Sequence, residues 1–156
     1  MIDDANMFSD GQDPTVAAGA DIISARVLSR RAGDNLTINL GAGKPVYLVV
    51  QVETAITHNA NATLQITLES DSAAALNVAP TVHLDSGAID LTAVPANAAQ
   101  GFQWFAVPLP AGQYQEFIGL RFAAAVDDVT GGGIDAFLTD TLETWQPYVT
   151  RSVNNA

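Results

Sequence analysis

Across residues 20–140 the apolar positions recur at every second residue, in short runs broken by glycine, proline, asparagine and aspartate. No segment holds the three-to-four spacing of a helix over a convincing length, so the pattern predicts strands. ADIISARVL puts Ile23, Ala25 and Val27 on one face, and LTINL groups Leu36, Ile38 and Leu40 ahead of Gly41-Ala42-Gly43. PVYLVVQVE aligns Val46, Leu48, Val50 and Val52, and ATLQITLES alternates Leu64, Ile66 and Leu68 with Thr63, Gln65, Thr67 and Glu69. PTVHLD reads as a short strand with Val82 and Leu84 inward and His83 outward. GFQWFAVPLP carries an aromatic on each face, Trp104 and Phe105, and EFIGLRFAA and GGIDAFLTD close the series.

About eight short strands with turn residues between them predict an all-β chain, a jelly-roll-like antiparallel β-sandwich. The prolines fall at strand ends or in loops, where a missing N–H does least harm. Residues 1–19 and 141–156 lack clean alternation and carry Phe8, Trp145 and Tyr148, so they read as extended N- and C-terminal arms around a domain over 20–140.

The outward positions are less usual. In QEFIGLRF, Ile118, Leu120 and Phe122 share one face, while Phe117 and Arg121 share the other with Gly119 between them. Tyr47, Val49 and Phe137 likewise lie opposite the core positions of their strands. A sheet apolar on both faces needs a second cover, from the chain's own loops (70–80 and 91–100), a sister subunit or another protein. Arg121 at the edge of such a patch fits either an internal salt bridge or an interface pair.

Composition sharpens this. Hydrophobic residues make up 48% of the 156 and charged residues only 15%, too apolar for a disordered chain and poor in charge for a free monomer. A formal net charge of −11 excludes the cationic footprint that nucleic acid or an anionic membrane requires. There is no cysteine, which removes disulfides, thiolate catalysis and thiolate metal sites. The opening MIDDANMFSDGQ has neither a basic nor an apolar leader segment, so synthesis in the cytoplasm is expected.

Candidate chemistry is thin, and no enzyme activity, metal or cofactor is expected. His58 and His83 are not in a ligand spacing and read as ordinary surface histidines. Asp127, Asp128 and Asp135 surround three glycines in VDDVTGGGIDA, an oxygen-rich stretch without EF-hand spacing that reads better as a hairpin turn. No nucleophile elbow or P-loop occurs. Trp104, Tyr114, Trp145 and Tyr148 fit core packing, a protein interface or a sugar-stacking platform.

One resemblance organises these pieces. The segments MIDDANMFSDGQ, GKPVYLVVQVETAITHNANATLQITLESD, VPLPAGQYQEFIGLRFAAA and GGGIDAFLTD follow one another in the order of an FSD-Q element, a G-P-Y-VVQV strand, an A-LTV-LQ-D strand, an LP-G-Y-LRL-Y hairpin and a final G-AFL--D strand. Over roughly residues 1–140 the chain thus resembles the Bbp16-like capsid cement proteins of tailed bacteriophages; TAVPANAAQ and the tail TLETWQPYVTRSVNNA depart from them. The resemblance implies a jelly roll on the outer surface of an icosahedral head. It would self-associate as a dimer or trimer and clamp HK97-fold major capsid protein subunits. Candidate interface residues are then Phe8, Tyr47, Phe117, Arg121, Phe137, Trp145 and Tyr148. The competing reading is a carbohydrate-binding jelly roll, a virion adhesin, using Trp104, Trp145 or Tyr148.

Overall fold

The computed structural model describes residues 6–30, 45–93 and 97–141. Among these, nine strands run in chain order: β1 (Met7–Gln12), β2 (Asp21–Ile23), β3 (Leu28–Ser29), β4 (Tyr47–His58), β5 (Thr63–Asp71), β6 (Thr81–Asp90), β7 (Gln103–Pro108), β8 (Phe117–Ala125) and β9 (Val129–Thr139). One sheet has the order β1-β9-β4-β7 and the other β2-β8-β5-β6, with β3 also pairing β8. Every pairing is antiparallel. β2 and β3 lie on the same side of β8, Ile22 opposite Phe122 and Leu28 opposite Ile118, so they are two pieces of one interrupted strand. Counted that way the described residues form an eight-stranded, two-sheet jelly roll.

The strongest alternations sit where the pattern puts them. Leu64, Ile66 and Leu68 of β5 and Ile118, Leu120 and Phe122 of β8 face Leu48, Val50 and Val52 of β4 across one core. The opposing sheet adds Ile134, Ala136 and Leu138 from β9. Phe8 of β1 is fully buried in that core, so the segment expected as an arm is, over residues 7–12, an edge strand of the sandwich. The Gln12 side chain ties it across the sheets, donating to Ile23 O and accepting the Ala25 N–H.

Three expectations fail, each at a break in strand register. In ADIISARVL it is Ile22 and Leu28 that face the core, not Ile23, Ala25 and Val27. The buried Ser24 hydroxyl donates to Arg26 O at 2.7 Å and accepts the Leu120 N–H at 3.1 Å, which lifts residues 24–27 off the ladder and changes the phase. In β6 the register shifts between the partners of Leu68 and Glu69, so Leu84 still faces inward but Val82 is 52% exposed and His83 turns in. In β7, Phe105 opposes Val50 and Gln103 opposes Gln51, leaving Trp104 as the extra residue; Trp104 and Phe105 both pack on the core. The strand read at Leu36, Ile38 and Leu40 lies outside the described residues.

The glycine run belongs to β9 rather than to a turn. A methyl group at Gly132, whose φ is +126°, would come within 2.8 Å of Ile56 Cα and 3.0 Å of Ala55 O. The backbones of β4 and β9 meet too closely there for a side chain. Asp128 works in the adjacent turn by accepting the Ala18 N–H at 2.8 Å. Among the described residues no three His, Asp or Glu side chains are grouped so as to hold a metal ion.

Candidate functional site

Gly119 stands in the middle of β8 on its outer face, between Phe117 and Arg121. A methyl group there would lie 2.8 Å from Leu76 Cδ1, 3.2 Å from Val27 Cγ2 and 3.3 Å from Ser24 Oγ. The missing side chain is the seat of Leu76, which is fully buried although it lies outside the main core. Residues 72–80, the connection from β5 to β6, therefore fold back as a strap over the outer face of their own sheet.

Two charged side chains fix the strap. Asp71, fully buried at the end of β5, accepts the Ser72, Val78 and Ala79 N–H groups, the first two at 2.6 and 2.8 Å. Burial pushes the Asp71 carboxyl up, but these amides and the Ser72 hydroxyl outweigh it and hold the group below its ordinary range. Arg121 donates through Nη2 to Leu76 O at 2.6 Å and through Nε to Glu69 Oε2 at 3.0 Å, and pairs with Asp21. Burial works against the guanidinium charge, and the bonds to Asp21 and Glu69 reverse that and raise its pKa. Of the two roles open to Arg121, the internal salt bridge is present within the single chain.

The candidate interface residues do not form one patch. Phe8 is core. Phe117 and Arg121 lie on the outer face of the second sheet, with Phe117 half-buried opposite Ser29 and Asp71. Tyr47 and Phe137 lie on the outer face of the first sheet, Tyr47 half-buried and Phe137, like its neighbour Val49, fully buried. Phe8 and Phe137 are thus withdrawn from the surface within the single chain. Trp145 and Tyr148 lie outside the described residues.

A second polar cluster sits at the rim of the core. His83 Nε2 is 2.7 Å from Ser70 Oγ, and its ring stacks on Tyr114 with centroids 3.9 Å apart. Ser70 is fully buried and its Oγ already accepts the Gln115 N–H at 3.0 Å, so it is not an accessible nucleophile. Of the sugar-platform aromatics, Trp104 donates its Nε1–H to Asn97 O and Tyr114 its hydroxyl to Pro110 O, both half-buried. Sequence reasoning offered the strap only as one of three possible covers and missed this cluster. The available signal was a glycine in the centre of an otherwise strong strand, which marks a close approach.

The Bbp16 family model matches residues 8–138. This chain belongs to the Bbp16 family. The match begins at Phe8 in β1 and ends at Leu138 in β9, so the shared Bbp16 unit is the whole sandwich, strap included. At the start of the matched segment, Phe8 and Gln12 lock β1 onto the core and across the sheets. No curated protein matches the chain.

Proposed function

We propose that this Bbp16-family chain is a phage structural protein that decorates a head. It binds the outer surface of a tailed-phage icosahedral capsid, associates with itself as a dimer or trimer, and ties neighbouring HK97-fold major capsid protein subunits together. The observation that carries this reading is the family match along the whole sandwich, from first strand to last. The covered sheet faces and clamped strap support it, because a rigid body adds area to many weak contacts without an ordering cost. A net charge of −11 keeps such a protein from competing for packaged DNA.

Co-sedimentation with head shells stripped of this protein tests the role. Saturable binding at a fixed ratio to the major capsid protein is expected, and no binding to intact expanded shells overturns it. Phe117→Gln is the variant to compare. An aspartate in place of Phe117 would stand directly opposite the buried Asp71 carboxylate and so disturb the fold as well as any interface.

A further inference from the structure

Ser70, His83, Tyr114 and Gln115 come from β5, β6 and the connection from β7 to β8. They meet in a single hydrogen-bonded and stacked unit. Gln115 does most of the tying. Its N–H reaches Ser70 Oγ, and its side-chain amide lies 3.2 Å from Ser70 O, 3.1 Å from Ala79 O and 3.1 Å from Thr81 Oγ1. The imidazole closes the unit from the other side. Because the Ser70 hydroxyl already accepts from Gln115, its own proton is free to go to His83 Nε2, which suits a neutral ring.

We infer that this unit is a proton-operated clasp: it holds residues 109–116 against β5 and β6 while His83 is neutral, and releases them when His83 takes up a proton. A proton on Nε2 turns both ring nitrogens into donors. Ser70 Oγ would then accept twice, and the hydroxyl proton of this fully buried side chain would have to turn away from the ring. The surroundings give the imidazolium little in return. From β5 it faces Ser70, and the next residue, Asp71, spends its carboxylate on the strap amides. From the connection it faces the Tyr114 ring and Gly112, where a methyl group would lie 3.6 Å from Nδ1. Glu116 follows Gln115, and the Arg30 guanidinium, itself positive, sits on the Tyr114 carbonyl. On β6 the nearest carboxylate in sequence, Asp85, is engaged by Gln65 and the Gly87 N–H. Burial accordingly lowers the His83 pKa.

Linkage sets the sign. A histidine whose folded pKa lies below its unfolded value of 6.5 binds more protons unfolded. Its contribution is therefore intact above that pH and is lost as pH falls below it. The test uses the full chain carrying His58→Gln, which leaves His83 as the single imidazole of the original two. Its ring signal is followed by NMR from about pH 8 to about pH 5, with thermal unfolding measured over the same window. The expected result is titration below 6.5, with the Tyr114 ring and Gln115 amide signals moving alongside. Tm should fall by a few degrees on acidification, a fall that His83→Gln removes. Titration at or above 6.5, as a dominant cation–π attraction to Tyr114 would produce, overturns the clasp. So do Tyr114 and Gln115 signals that ignore the His83 titration. Should His83→Gln fail to fold, the titration alone decides.

Discussion

Gly119→Ala is the most incisive perturbation of the strap. The added methyl would stand 2.8 Å from Leu76 Cδ1, where real side chains do not sit, and at 3.2 and 3.3 Å from Val27 and Ser24. Leu76 cannot swing aside freely, because it is fully buried and its carbonyl is held by Arg121 at 2.6 Å. Forcing a methylene-sized group into a packed site costs about 1–3 kcal/mol. Losing a glycine returns about 0.4–1 kcal/mol through the unfolded chain where the backbone tolerates a side chain, and Gly119 is not among the positive-φ glycines. The single variant should therefore be destabilised, by up to about 2.5 kcal/mol, or roughly 5–10 °C in Tm for a chain of this size.

The decisive quantity is the coupling. Leu76→Ala alone should cost about 2–5 kcal/mol, since it empties a buried leucine site. In that background the closest obstacle to the added methyl is gone, and the tight contacts at 3.2 and 3.3 Å to Val27 and Ser24 remain. Gly119→Ala should then cost clearly less than it does with Leu76 in place, a coupling of about 1–3 kcal/mol. Chemical denaturation of the two singles and the double measures it. Additive losses would refute the seating of Leu76 on Gly119, because two residues that do not touch have no reason to cancel.

Gly132→Ala should be worse than Gly119→Ala and should resist rescue, because at φ +126° its methyl meets Ile56 Cα and Ala55 O, which are backbone atoms; thermal unfolding decides. Arg121→Leu should lower stability by about 1.5–3 kcal/mol by leaving Glu69, whose side chain is only 6% exposed, without its counter-charge, and Arg121→Lys should recover little of it because a single ammonium nitrogen cannot reach the acceptors that the guanidinium fork spans. Chemical denaturation of both variants checks this. On the acid side, Asp71 has a folded pKa below its ordinary 3.8, so its contribution is present above that value and lost as pH falls further. Asp71→Asn should flatten the acid limb of a stability–pH profile and speed amide exchange at Val78 and Ala79.

How much of this was legible in the sequence depended on register. β5 and β8, and β4 over Tyr47–Val52, read correctly because the β5–β8 and β4–β9 ladders there run without a register shift and keep the two-residue period that patterning detects. The losses fall where one residue is added or the chain leaves the ladder: at Ser24, at His83 and at Trp104. Each inverts the faces of the residues beyond it or lets two neighbours point the same way. A bulge is set by the partner strand, and a single strand's sequence carries no record of its partner's register. The strap was legible only as an alternative. Nothing in SAAALNVA marks Leu76 as buried; that comes from the empty seat at Gly119, forty-three residues further on.

The covered faces also change what the composition means. Poor charge and 48% hydrophobic content invited the reading that partners bury the surplus apolar surface. In the described residues part of that surplus is consumed internally: Leu76 seats over Gly119 on one outer face, and Val49 and Phe137 are fully buried on the other. The large apolar side chains left exposed among these residues are Val78, Val82 and Val126, which stand on the strap, on the edge strand β6 and in the β8–β9 turn. None stands on a broad sheet face. A shell contact made by this sandwich would therefore draw on edges and turns held rigid by the layers beneath them. Under the proposed role the strap would act on attachment through stiffness: loosening it with Leu76→Ala should weaken co-sedimentation with head shells even though Leu76 itself is fully buried, and unchanged binding by a folded variant would refute this.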